Sequence, residues 1–252
     1  SSAAFHAGYS LTVNNTGNSL EQALRYIQRI ANQSVKGIVF RPLALSPFDE
    51  VNFHICEEIQ KRRIPFVFID IPVKDVPVSC IRSDNYQGGK SIGELLRESG
   101  HREVCVLLDC VNPTTDRRIE GLEKGLRQSA SVVHYYKEIE GDFERKILKS
   151  LKGVKAPTAF FCIHDLIARQ LFGFLRKQGI CVPGDISVAG FDDLDFSELL
   201  DPPLTTVHQN LDRIGQDAVR VLLRTIENPA RQPSEILIPV QLVERESIKR
   251  IA

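Results

Sequence analysis

The sequence predicts an α/β fold of two lobes, each a parallel sheet covered by helices. Three observations lead there. Short apolar runs alternate with amphipathic helical stretches along the chain. The runs are bounded by turn residues, as buried strands are. The whole plan then occurs twice, once before about residue 108 and once after it. Strand–helix alternation implies parallel strands joined by crossover helices. At 252 residues the chain is long enough for two such lobes.

The elements follow in order. Residues 1–8 read as the end of a helix with Gly8 as its C-cap. Residues 9–14 (YSLTVN) read as a strand. Ser19 can N-cap a helix over 20–33, which sets Leu20, Leu24, Ile27 and Ile30 on one face. Strand 35–40 ends at Arg41-Pro42, and helix 48–63 follows. Strands 65–70 and 78–82, helix 87–99 and strand 103–108 complete the first half. The second half opens with helix 116–129, strand 132–136 and helix 143–152. Strand 159–163 and helix 165–178, capped by Gly179, come next. A stretch over 182–209 then holds a strand at 186–189, an acidic loop, a double proline and a second strand. Helix 211–228 places Ile214, Ala218, Val221, Leu222 and Thr225 at helical spacing, and 236–243 reads as a closing strand.

Composition excludes several function classes. There are 32 basic and 32 acidic residues, so this region has no net charge with which to neutralise phosphates. No run of about 18 apolar residues occurs, so no membrane span is expected. Six cysteines (56, 80, 105, 110, 162 and 181) form no C-x-x-C pair and no zinc spacing with His. Reduced, buried thiols of a cytosolic protein are expected instead. G-x-S-x-G, H-E-x-x-H and P-loop motifs are absent from the sequence, which points away from an enzyme and from a cofactor or metal. The absence of Met, initiator included, leads us to expect a fragment.

Three segments carry a family resemblance. VPGDISVAGFDD followed by DPPLTTVHQ, the SDNYQGGKSIGELLRESGHREVCVLL stretch, and DRRIEGLEKGL occur in that order and spacing. Together they resemble the effector-binding core of LacI/GalR-type bacterial transcription regulators. The resemblance implies a periplasmic-binding-protein-like (type I) fold: two Rossmann-like lobes joined by three crossover segments. It places the crossings near Leu108, Gln209 and Glu235. The amino-terminal lobe is then 1–108 plus 210–235, and the carboxyl-terminal lobe 109–209 plus 236–252. It also implies a first strand before residue 1.

The candidate site residues lie at strand ends, where open α/β sheets bind ligands. Arg118 offers five donors in a fixed fork, and matches the family's effector-gripping arginine. Asp192 matches its ligand-binding aspartate, with Asp193 beside it as runner-up; on a strand end the two should diverge. His164 stands where many relatives carry Asn. It reads either as a ligand contact or as a cap, and Asp165 as the following helix's N-cap. Arg41 is the amino-lobe counterpart. Two arginines facing one ligand would suit a carboxylate or phosphate. Phe143, in G-D-F, resembles a position where relatives place an aromatic against a sugar. Asp84 and Gln209 are lesser candidates.

The resemblance therefore implies a sensor. A small polar effector, a sugar or a derivative, binds between the lobes and closes them. Operator DNA is bound by a helix-turn-helix domain outside this chain, and the regulator is a cytoplasmic homodimer. The alternative is a periplasmic sugar-binding protein of a transport system, with the same fold.

Overall fold

The computed structural model describes residues 2–31, 33, 35–126, 132–137, 143–152 and 155–251. The chain forms two compact units, one of residues 1–83 with 210–239, the other of residues 84–209 with 240–252.

The first unit holds a four-stranded parallel sheet in the order β1 (Ile38–Phe40), β2 (Phe66–Ile69), β3 (Cys80–Ser83) and β9 (Glu235–Ile238). Side chains alternate across it, as the pleat requires. Phe66 and Phe68 face a cluster with Ala23 and Ile27 of α2 (Leu20–Ala31) and Ile55 and Ile59 of α3 (Phe48–Lys61). The two phenyl rings meet edge to face at 5.6 Å. Val67 and Ile81 belong to a second cluster with Ile214, Ala218, Val221 and Leu222 of α8 (Leu211–Glu227). Each valine, leucine, isoleucine or phenylalanine among them contributes roughly 1.5–3 kcal/mol on full burial. Asn210 caps α8 by accepting from the Arg213 amide, which satisfies a donor the helix leaves unpaired.

The second unit holds a parallel sheet in the order β5 (Val132–Lys137), β4 (Glu103–Leu108), β6 (Ala159–Cys162) and β7 (Ser187–Ala189). All four residues of β6 are buried, as fits a strand covered on both faces. An antiparallel pair of β8 (Thr206–Gln209) and β10 (Val240–Val243) completes the unit. Its helices include α4 (Asn85–Glu98), α5 (Pro113–Leu126), α6 (Phe143–Leu151) and α7 (Asp165–Lys177).

Helices α4 and α5 touch backbone to backbone. A Cβ on Gly89 would lie 2.0 Å from the Arg118 carbonyl oxygen, and one on Gly121 would lie 2.0 Å from that of Tyr86. Only glycine permits this approach, and it sets the first turn of α4 beside Arg118. The turn after α4 is held by His101, which is fully buried between Thr158 Oγ1 (2.9 Å) and the Lys249 carbonyl (3.2 Å).

Several expectations are corrected. The change of unit expected near Leu108 falls between residues 83 and 84. The α4–α5 contact and the place of β4 between β5 and β6 commit both elements to the second unit. Residues 9–14 form no strand; Tyr9, Leu11 and Val13 are exposed, and the segment joins no ladder among the described residues. The closing strand is two strands, β9 and β10, interrupted at Pro239, which has no N–H to give a ladder. Helix α5 begins at Pro113 because Asn112 Oδ1 accepts from the amides of Thr114 and Thr115; the end expected for it at 129 lies outside the described residues. Short α1 (Ser2–His6) does end at Gly8, whose φ is +79°.

The thiols at Cys56, Cys80, Cys105 and Cys162 are buried and free. Burial pushes Cys56 and Cys80 up to about 12, so neither is a thiolate at neutral pH.

Candidate functional site

The second unit gathers a charged constellation at the carboxyl ends of its strands. Arg118 is its centre. The side chain is 7% exposed and its guanidinium lies 3.7 Å from the centroid of the Phe191 ring. Nε donates to Asn85 Oδ1 at 2.8 Å, and Nη1 to the Ile163 carbonyl at 2.5 Å. Nη2 meets Asp192 Oδ1 at 3.2 Å. A buried charge is stable only when paired and hydrogen-bonded, and this one is both.

Asp192 follows β7 in an uncommon backbone conformation, with φ +114°, and Asp193 has φ +53°. The expected divergence is present. Asp192 accepts from Gln209 Nε2 at 2.6 Å and faces Arg118. Asp193 turns to Arg245 Nη2 at 2.7 Å and His208 Nδ1 at 3.0 Å.

Asp165 braces this loop. It is fully buried and accepts from Ser197 Oγ (2.6 Å), Thr206 Oγ1 (2.7 Å) and the Leu194 amide (3.0 Å). Burial raises its carboxyl above the usual range, with the three hydrogen bonds opposing. It is not the N-cap of α7 that the sequence led us to expect. His164 caps that helix, its Nδ1 accepting from the Ile167 amide at 3.3 Å. The other ring nitrogen lies 2.9 Å from Asp109 Oδ2. Capping and a polar contact at the strand end are thus compatible roles for His164.

The comparisons with known proteins identify the family of the chain. The family model of a periplasmic binding protein-like domain matches residues 94–248. The HTH-type transcriptional repressor PurR of Haemophilus influenzae (strain PittEE) is 30% identical over 256 residues, covering 98% of this chain and 74% of the relative. The chain belongs to the LacI/GalR family. Within that family it is the effector-binding domain of a transcription regulator, which is not an enzyme. The PurR repressor of Escherichia fergusonii is 31% identical over 251 residues, covering 97% of the chain and 72% of the relative. A LacI family transcriptional regulator from Enterococcus faecalis V583, solved with bound ribose, superposes with a TM-score of 0.83 at 26% identity, covering all of this chain and 91% of that one.

Seen as a LacI/GalR domain, the chain brings Arg118, Asp192 and Gln209 together and sets His164 at the neighbouring strand end. Asp84 is the N-cap of α4, accepting from the Gln87 amide at 3.0 Å. Phe143 opens α6, and its side chain lies outside the described residues. Arg41 stands in the first unit, just past β1, paired through Nε with Asp70 Oδ2 at 2.9 Å. Each of the two candidate arginines is therefore already matched by a carboxylate of its own unit. That removes the ground for expecting a carboxylate or phosphate ligand, which would have to displace the internal partner.

Sequence reasoning missed Asn85, Phe191 and Asp109. Asn85 lies inside the SDNYQGGKSIGELLRESGHREVCVLL stretch, so its place was marked and only its partner was hidden. Phe191 sits between Gly190 and Asp192 in the segment already singled out. Asp109 is a carboxylate that directly follows the apolar run of β4.

Proposed function

We propose that this domain senses a small polyhydroxylated effector, a sugar or a close derivative, at the strand ends of its second unit. Arg118 donates to the effector's hydroxyls and Asp192 accepts from them, with Gln209 and His164 at the margin. In the intact regulator, a cytoplasmic homodimer, the bound effector changes the affinity of a helix-turn-helix domain for operator DNA.

The observation that carries this reading is the fixed guanidinium of Arg118. It is stacked on Phe191 and shared between Asn85, Ile163 and Asp192. Donors and acceptors so placed match a polyol, whose hydroxyls both give and accept hydrogen bonds. The repressor relatives and the ribose-bound neighbour support it. A transport component draws no such support.

A thermal-shift screen with sugars, amino sugars, sugar acids, sugar phosphates and purines tests it. A ligand at a hundredfold excess over its Kd stabilises by about 2.7 kcal/mol. A sugar should raise the Tm. A shift given by purines or phosphates alone would contradict the reading.

A further inference from the structure

One charged group at these strand ends has no role in the reading above. Strands β4, β6 and β7 are neighbours in the sheet, and each ends in a polar side chain on the same side. Asp109 follows β4, His164 follows β6 and Asp192 follows β7. Arg118 reaches the middle of this row through the carbonyl of Ile163, the residue before His164. The row is therefore continuous with the effector site.

The charges along it do not cancel. Arg118 is matched by Asp192, and Arg245 by Asp193. His164 Nδ1 accepts from the Ile167 amide. The ring proton then lies on Nε2, which donates to Asp109. That hydrogen bond holds the Asp109 carboxyl below the usual range, so it is ionised at neutral pH. Among the described residues no lysine or arginine is ion-paired with Asp109, and its side chain is 40% exposed.

We propose that Asp109 is a specificity-determining residue of the effector site, selecting a ligand that carries an amino group. An amino sugar binds better than its neutral parent, and much better than the matching sugar acid. The inference rests on the effector reading above. Its chemistry is direct: an ionised carboxylate has about four acceptor sites and keeps room beside its bonds from His164, Cys110 and its own amide, an ammonium group supplies three donors, and a second carboxylate there meets a like charge.

Calorimetric titration of two matched sets tests it: ribose, 2-amino-2-deoxyribose and riburonate, and glucose, glucosamine and glucuronate. For wild type, the amino member should bind at least about 100-fold more tightly than the acid, a difference of about 2.7 kcal/mol. In Asp109→Asn, which keeps the side chain's shape, that ratio should fall below about tenfold. An acid that binds wild type as well as the amino sugar overturns the inference and leaves the effector reading standing. So does a preference unchanged in Asp109→Asn. If none of the six binds wild type, the effector reading fails and this inference with it.

Discussion

Each unit of the chain carries an arginine at a strand end, and the two are held differently. Arg118 is buried, stacked on a phenyl ring and bonded to three groups from three other elements. The side chain of Arg41 is 55% exposed, and the partner it is bonded to is Asp70. Burial forces the difference: a charge withdrawn from water needs every donor placed, whereas an exposed one is solvated wherever it points. The second unit therefore fixes its strand-end arginine, and the first leaves its own adjustable.

The comparison is broken most severely by Arg118→Ala. The change removes the Arg118 ion pair from Asp192 and the Arg118 hydrogen bonds from Asn85 and Ile163. Removing one partner of a buried pair costs about 3–5 kcal/mol, so urea denaturation should show a loss of that order. The ligand-induced Tm gain should disappear as well. An unchanged midpoint with the gain intact would mean that the pair holds nothing.

Next in size is the brace under Asp192. Burial raises the Asp165 carboxyl above its usual value of 3.8. The fold therefore prefers the protonated form. The stability this lends is complete below about pH 3.8 and is lost as pH rises through the folded value. Asn does not titrate. Wild type should thus lose stability relative to Asp165→Asn as pH rises from 3.5 towards neutrality, followed by urea midpoints at each pH. A difference that stays flat with pH would contradict the assignment.

Arg41→Ala should have the smallest effect. An exposed pair of this kind contributes about 1 kcal/mol or less, and added salt should erase even that. Effector affinity should fall by less than it does for Arg118→Ala. An equal loss would show that the two arginines are not held differently in any way that matters for binding.

How much of this was legible in the sequence follows the same division between local and distant causes. Among the described residues the apolar runs marked the seven strands β1 to β7 within a few residues, because a buried strand announces itself by its own composition. Gly8 and Gly179 marked two helix ends through a local backbone need. The family resemblance marked Arg118 and Asp192 as candidates. What surrounds them was not legible. The contacts of Arg118 with Asn85 and Phe191 join segments far apart in the chain, and no local pattern encodes them. Residues 9–14 have strand composition, yet a strand exists only with a neighbour. The unit boundary was misplaced because the allegiance of α4 depends on glycines of two helices meeting at Arg118 and Tyr86. His164 and Asp165 exchanged roles because capping depends on which of two adjacent side chains turns back to the helix.

The central claim is that Arg118 and Asp192 hold the effector. A crystal structure of the chain with whichever ligand gives the largest thermal shift tests it most directly. The account predicts ligand hydroxyls about 3 Å from the guanidinium and from the carboxylate. A ligand seated elsewhere, with Arg118 touching only Asn85, Ile163, Phe191 and Asp192, would contradict it.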